Sequence, residues 1–186
     1  RQPEFTQMDL EMSFVTEADV MKVNETALKE VVEKLVPHKK TMQTPFPIFT
    51  YEEAMNKYGS DKPDVRFELP LTDVSEVATG CEFGVFNSVV KNGGVVKALK
   101  VDGGSKFTRK QIDEFEAVAK IYGAKGLAYI VVEEAGLKSP IVKYFKKEEL
   151  DKILEITEAK VGDIIFFAAD KFTVACESLG YVRLAV

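Results

Sequence analysis

Three times along the 186-residue chain a threonine stands three residues ahead of an acidic residue or a glutamine, at the head of a run with helical periodicity. The three are Thr16-Glu-Ala-Asp19, Thr50-Tyr-Glu-Glu53 and Thr108-Arg-Lys-Gln111. In each, the threonine hydroxyl accepts from the third following N–H while the longer side chain reaches back to the threonine N–H, so two orphan donors are satisfied together. Such boxes fix where helices begin. The first predicted helix runs to about Val36, carries Val20, Val23, Ala27, Leu28, Val31 and Leu35 at helical spacing, and stops at Pro37. The second is short, through Tyr58, with Gly59 to end it; the third buries Ile112, Phe115, Ala119 and Tyr122 before Gly123.

Other stretches read as strands. From Gln7 to Phe14 polar and apolar residues alternate strictly. A strand there puts Gln7, Asp9, Glu11 and Ser13 on one face and Met8, Leu10, Met12 and Phe14 on the other. Phe83–Val90, the Asn92-Gly93 turn and Val95–Val101 read as a hairpin. Leu127–Val132 and Ile164–Ala168 are nearly all apolar, as strands buried on both faces or central in a sheet are. Leu71–Ala78 predicts one or two weak helical turns, and Lys146–Ile156 an amphipathic helix with Leu150, Ile153 and Leu154 inward. Phe172–Leu179 reads as a short helix closed by Gly180, and Tyr181–Val186 as a last strand. A sheet layered with helices is the simplest architecture from about residue 69 onward.

Composition narrows the function classes. With 46% apolar and 30% charged residues the chain can bury a real core. A net charge of −5 gives no global basic field for nucleic acid, so RNA contact would rest on local clusters. Lys97, Lys100, Lys106, Arg109 and Lys110 are one candidate edge, although solvated charges at a helix start explain them too. Cys81 and Cys176 lie far apart; a disulfide is one reading, but without a secretory signal reduced, buried thiols are the better one. No apolar run reaches the roughly 18–20 residues that span a bilayer, and cytoplasm is the expected compartment. The chain has no initiator Met, which reads as a piece of a longer protein. His38, the only histidine, has no metal-ligand spacing around it and is read as a surface residue. There is no Walker loop, zinc spacing, Ser/His/Asp set or GxGxxG. Gly93-Gly94 and Gly103-Gly104 are better explained by turns than by a phosphate cradle.

Two stretches carry chemistry. On the predicted strand, Asp9 and Glu11 would sit roughly 6–7 Å apart on one face. Periodicity alone makes that an exposed face; the paired carboxylates suit a cationic amine, or a metal through water, and repel an anion. The second stretch is Tyr58-Gly-Ser-Asp-Lys-Pro-Asp-Val-Arg-Phe67. It is either an ordinary surface turn or, through Asp61, Lys62, Asp64 and Arg66, an ion-paired lid over a charged ligand.

Several of these landmarks recur, in the same order, in a known family. The segment Arg1–Phe14 resembles the second signature of class II aminoacyl-tRNA synthetases, and of the bacterial-type aspartyl enzymes in particular. Thr50-Tyr-Glu-Glu-Ala54, Tyr58-Gly-Ser-Asp-Lys-Pro-Asp64, Gly103-Gly104, Arg109-Lys-Gln-Ile-Asp113, Tyr122-Gly-Ala-Lys-Gly-Leu-Ala128 and Leu179–Leu184 extend the likeness over essentially the whole chain. The resemblance implies an α+β fold: residues 1–68 as part of the catalytic domain, an antiparallel sheet with helices, and 69–186 as the layered α/β insertion module called the GAD domain. The parent would be a ligase that activates L-aspartate with ATP and Mg²⁺ and transfers it to aspartate tRNA, or to asparagine tRNA as well, and it would be a homodimer away from membranes. By position, Gln2 would contact ATP, and Gln7 and Asp9 would line the aspartate pocket, with Asp9 on the α-ammonium. Glu11 would neighbour ATP or metal, and Ser60, Asp61, Lys62 and Asp64 would border the active site beside the tRNA acceptor end.

The family also uses an anticodon-binding barrel, a first signature and two phosphate-gripping arginines that this sequence does not contain. Because adenylate formation depends on cationic clamps, the chain alone is expected to be inactive and to hold no cofactor. Two other readings compete. One is a tRNA-binding module of the amidotransferase type, which shares the later module but has no reason to carry Gln2, Gln7 and Asp9. The other is a protein-interaction domain using the hairpin edge between Phe83 and Val101.

Overall fold

The two apolar runs read as buried strands do lie side by side inside a sheet. In the computed structural model, which describes residues 3–186, they are β3 (Ala128–Glu133) and β5 (Ile164–Asp170) of a five-stranded antiparallel sheet. The others are β1 (Leu71–Asp73), β2 (Val95–Val101) and β4 (Gly136–Lys138), in the order β1-β2-β5-β3-β4. β5 is central and pairs with β2 from Val95↔Asp170 to Val101↔Ile164, and with β3 from Ala128↔Phe167 to Val131↔Ile164.

Alternation along β5 then builds two cores. Ile164, Phe166 and Ala168 point to one side and pack with helices α5 (Arg109–Ile121) and α7 (Phe172–Ala185) through Ile112, Phe115, Ala175, Leu179 and Val182. Ile165 and Phe167 point to the other and meet α3 (Ser75–Gly80), α4 (Gly84–Lys91) and α6 (Lys147–Thr157) through Val77, Phe86 and Ile153. Helices on both faces explain why β5 shows no polar alternation. This is the expected layered module.

Two expected elements are replaced. Phe83–Val90 is not the first arm of a hairpin but helix α4, because Phe83, Phe86 and Val90 at helical spacing face the second core while Val85 is left 56% exposed. Consequently β2 lies between β1 and β5, and the hairpin edge that an interaction domain would have used does not exist. Tyr181–Val186 is likewise no strand; α7 runs through Gly180 to Ala185. Gly180 is there for closeness. A Cβ on it would lie 2.7 Å from the Gly59 carbonyl oxygen and 2.8 Å from that of Tyr58, so only glycine lets this helix approach α2 (Tyr51–Tyr58) so nearly. Gly59 itself caps α2 in the left-handed conformation, φ 69°. Leu71–Ala78, expected as weak helical turns, splits into β1 and α3.

By internal contacts the chain divides into two units, one ending at Ile48 and one spanning Phe49–Val186. All the elements above belong to the second. In the first, the Thr16 box is formed: Thr16 N–H donates to Asp19 at 2.8 Å and Asp19 N–H to the Thr16 hydroxyl at 3.4 Å. Helix α1 (Glu17–Leu35) follows, with no buried residue. The expected strand over Gln7–Phe14 is absent. No residue from 3 to 48 forms a strand, so there is nothing within this unit for it to pair with, and its backbone groups are left to water. Among the described residues no helix is long and apolar enough to cross a membrane.

Candidate functional site

The residues singled out from sequence fall in both units. Gln2, expected at ATP, lies outside the described residues. Gln7, Asp9 and Glu11 lie in the irregular opening segment and are all exposed. Met8 and Leu10, meant to pack beneath them, are 67% and 52% exposed. The pocket floor argued from a strand face is therefore not present in this arrangement.

The Ser60–Asp64 stretch is better defined. Its start is fixed by α2: Thr50 and Glu53 form the expected capping box, with Thr50 N–H donating to the Glu53 carboxylate at 2.8 Å, and Gly59 N–H returning to the Met55 carbonyl. Beyond Gly59 the chain turns through local side-chain contacts. Lys62 N–H donates to the Ser60 hydroxyl at 3.1 Å, and Arg66 N–H to Asp64 at 3.0 Å. The Arg66 guanidinium also forks onto the Asp64 carboxylate. This donation, with that of the Arg66 N–H, lowers the Asp64 carboxyl to about 2. Together with Tyr58, Gly180, Tyr181, Arg183 and Leu184, the stretch lines an open cleft of about 380 Å³. Asp61 and Lys62 are exposed at its rim and make no ion pair among the described residues. Of the four charged residues read as an ion-paired lid, two form a pair. Asp64 and Arg66 neutralise each other, while Asp61 and Lys62 face solvent.

Sequence reasoning missed Arg183. It is 2% exposed, bonded to the backbone carbonyls of Asp64, Phe67, Glu68 and Leu69, and lies over the rings of Tyr58 and Phe67. A solitary arginine in an apolar run was the available signal. Lys97 was misplaced for a similar reason. It is not part of a basic RNA-facing edge but is buried, paired with Asp73 at 3.0 Å and donating to Asn56 Oδ1 at 2.7 Å. Lys100, Arg109 and Lys110 are also paired, with Asp102, Asp113 and Glu114, while Lys106 makes no ion pair among the described residues. Both cysteines are free and buried, and burial pushes the Cys176 thiol up to about 11.

The three-layer sheet has a counterpart among known families. The GAD domain matches residues 86–179, from inside α4 to inside α7. The chain belongs to the GAD domain family. Around the GAD domain the likeness continues. The aspartate–tRNA(Asp/Asn) ligase of Bacillus subtilis is 50% identical over 185 residues, 99% of this chain and 31% of the relative. The aspartate–tRNA ligases of Macrococcus caseolyticus and Clostridium perfringens are 49% and 48% identical over 184 residues. The chain thus spans about 31% of the length of the relatives it matches.

A metal or nucleotide site would need more than the described residues offer. No three His, Cys, Asp or Glu side chains among them come together. Arg66 and Arg109 are in ion pairs and Arg183 is buried on carbonyls. The described residues alone therefore do not make a complete site for ATP with Mg²⁺.

Proposed function

We propose that this chain is part of an aspartate–tRNA ligase, an enzyme converting ATP, L-aspartate and tRNA to aspartyl-tRNA, AMP and pyrophosphate. The observation that carries the reading is the extent of the identity. It covers 185 of 186 residues, so it includes nearly all of the segment ahead of the GAD match as well as the GAD domain. A tRNA-binding module sharing only the GAD domain gives no reason for that.

In this reading residues 1–68 belong to the catalytic part and 69–186 to the GAD insertion. Gln2 contacts ATP, Gln7 and Asp9 receive aspartate with the Asp9 carboxylate on the α-ammonium, and Glu11 stands near ATP or Mg²⁺. Ser60, Asp61, Lys62 and Asp64 border the tRNA acceptor end, where Lys62 offers a point charge to phosphate. Aspartate tRNA is the partner, with asparagine tRNA the second candidate, and the complete enzyme is a cytoplasmic homodimer. The test is aspartylation by the complete ligase carrying this segment. Asp9→Asn should raise KM for aspartate by about a hundredfold, the scale of one lost charge-assisted bond of ~2–3 kcal/mol. An unchanged KM would remove Asp9 from the pocket. The 186-residue chain alone should show no ATP–pyrophosphate exchange; exchange above background would overturn that expectation.

A further inference from the structure

Between residues 60 and 70 no backbone N–H donates to a backbone carbonyl. The N–H bonds that do form are to neighbouring side chains, at Lys62 and Arg66. Among the described residues, every long-range hydrogen bond onto this stretch comes from one side chain. Arg183 Nε donates to the Leu69 carbonyl at 2.9 Å, and Nη2 to those of Asp64, Phe67 and Glu68 at 2.8, 2.8 and 3.0 Å. The guanidinium carbon stands 4.2 Å from the Phe67 ring centroid and 5.0 Å from that of Tyr58, at the two ends of the stretch. Leu69, where the bonds end, is held at φ 76°, a left-handed conformation that a leucine does not keep unaided.

Among the described residues no carboxylate forms an ion pair with this buried cation. Its guanidinium satisfies four carbonyls that no backbone N–H reaches, and an apolar side chain in its place would leave them without that donor. Its planar fork suits several carbonyls at once, which the single ammonium of a lysine does not. We propose that Arg183, on the last turn of α7, is a positioning residue that sets the shape of the 58–69 segment and so the place of Lys62 at the cleft. The C-terminal turn of α7 thereby supplies the anchor for the loop. The functional half of this inference rests on the loop bordering the tRNA end; the mechanical half does not.

Backbone ¹⁵N relaxation of the 186-residue chain separates the two. In the unaltered chain, order parameters at residues 61–68 should be near 0.85, the value of rigid backbone, and in Arg183→Met and Arg183→Lys they should fall below about 0.6. The amides of β5 should be unchanged. Failure of lysine to rescue marks geometry rather than charge as the cause. Unchanged loop order, or loss of order in β5 along with the loop, would overturn the proposal, as would failure of both variants to fold, since Arg183 would then be a core residue. In the complete ligase, Arg183→Lys and Lys62→Ala should each raise KM for tRNA about tenfold with kcat within about twofold, and the double variant should do no worse than either. A loop that loosens without any change in KM for either variant would leave the mechanical role standing and remove the loop from the tRNA site.

Discussion

The two units of the chain contain the same kinds of helix signal and end very differently. α1 has a complete capping box, an i,i+4 pair between Glu30 and Lys34 at 2.7 Å and an apolar stripe, yet it buries nothing. α5 has the same box, at Thr108 and Gln111, and buries Ile112, Phe115 and Ala119 against the sheet. Local terms are enough to start a helix at either place. What the second unit adds is β5, a strand covered on both sides, against which other elements can lose water. Leu28, Val31 and Leu35 of α1 remain 46–75% exposed because their own unit offers no such surface.

If that contrast is right, its largest consequence is in the core. Phe166→Ala, at a ring with 0% exposure, should cost about 3–5 kcal/mol, whereas Leu28→Ala in α1 should stay within about 0.5 kcal/mol. Urea unfolding followed by tyrosine fluorescence reads both. Equal costs would mean that α1 shares the cooperative core. Next comes Gly180→Ala. If glycine merely ended a helix there, alanine would help by up to about 1 kcal/mol. The contact with Gly59 instead makes the substitution an overpacking that costs about 1–3 kcal/mol, measurable in the same assay.

Smaller effects sharpen the comparison. Thr108→Ala should lower the stability of the second unit by about 1 kcal/mol. Thr16→Ala should reduce helical circular dichroism and leave the main unfolding midpoint where it was. Acid supplies a milder probe of the loop. The folded Asp64 carboxyl is lowered to about 2, so whatever its Arg66 pairing contributes is present above the ordinary carboxylate pKa of about 3.9 and lost as pH falls toward 2. A titration by NMR at Asp64 with a midpoint near 4 would deny the pairing. Burial raises both thiols, and Cys176 to about 11, so neither should react with a disulfide reagent at pH 8 until the chain unfolds.

How much of this was legible in the sequence depended on whether the deciding contact was local. The capping boxes at Thr16, Thr50 and Thr108, the stop at Gly59 and the two-sided strands Leu127–Val132 and Ile164–Ala168 all declare themselves within a few residues, and all appear. Phe83–Val90 is apolar enough for either element; the helix is decided by Phe145 and Phe167, whose rings lie 6.2 and 5.8 Å from that of Phe86. Gly180 reads as a terminator until Gly59, far away in sequence, is brought against it. The candidate site divides the same way. The turn at Ser60–Asp64 is visible in its own residues, but Arg183, more than a hundred positions later, is not. At Gln7–Phe14 alternation specified which side chains would share a face without supplying a strand to pair with.

Limited tryptic digestion with mass readout tests most directly whether stability resides in the unit built on β5. Rapid cleavage at Lys22, Lys29, Lys34, Lys39 and Lys40 should leave a resistant product that begins after Lys40 and keeps the chain through Val186. Persistence of the intact chain, or cleavage at Lys97, buried beside Asp73, as early as at Lys29, would contradict it.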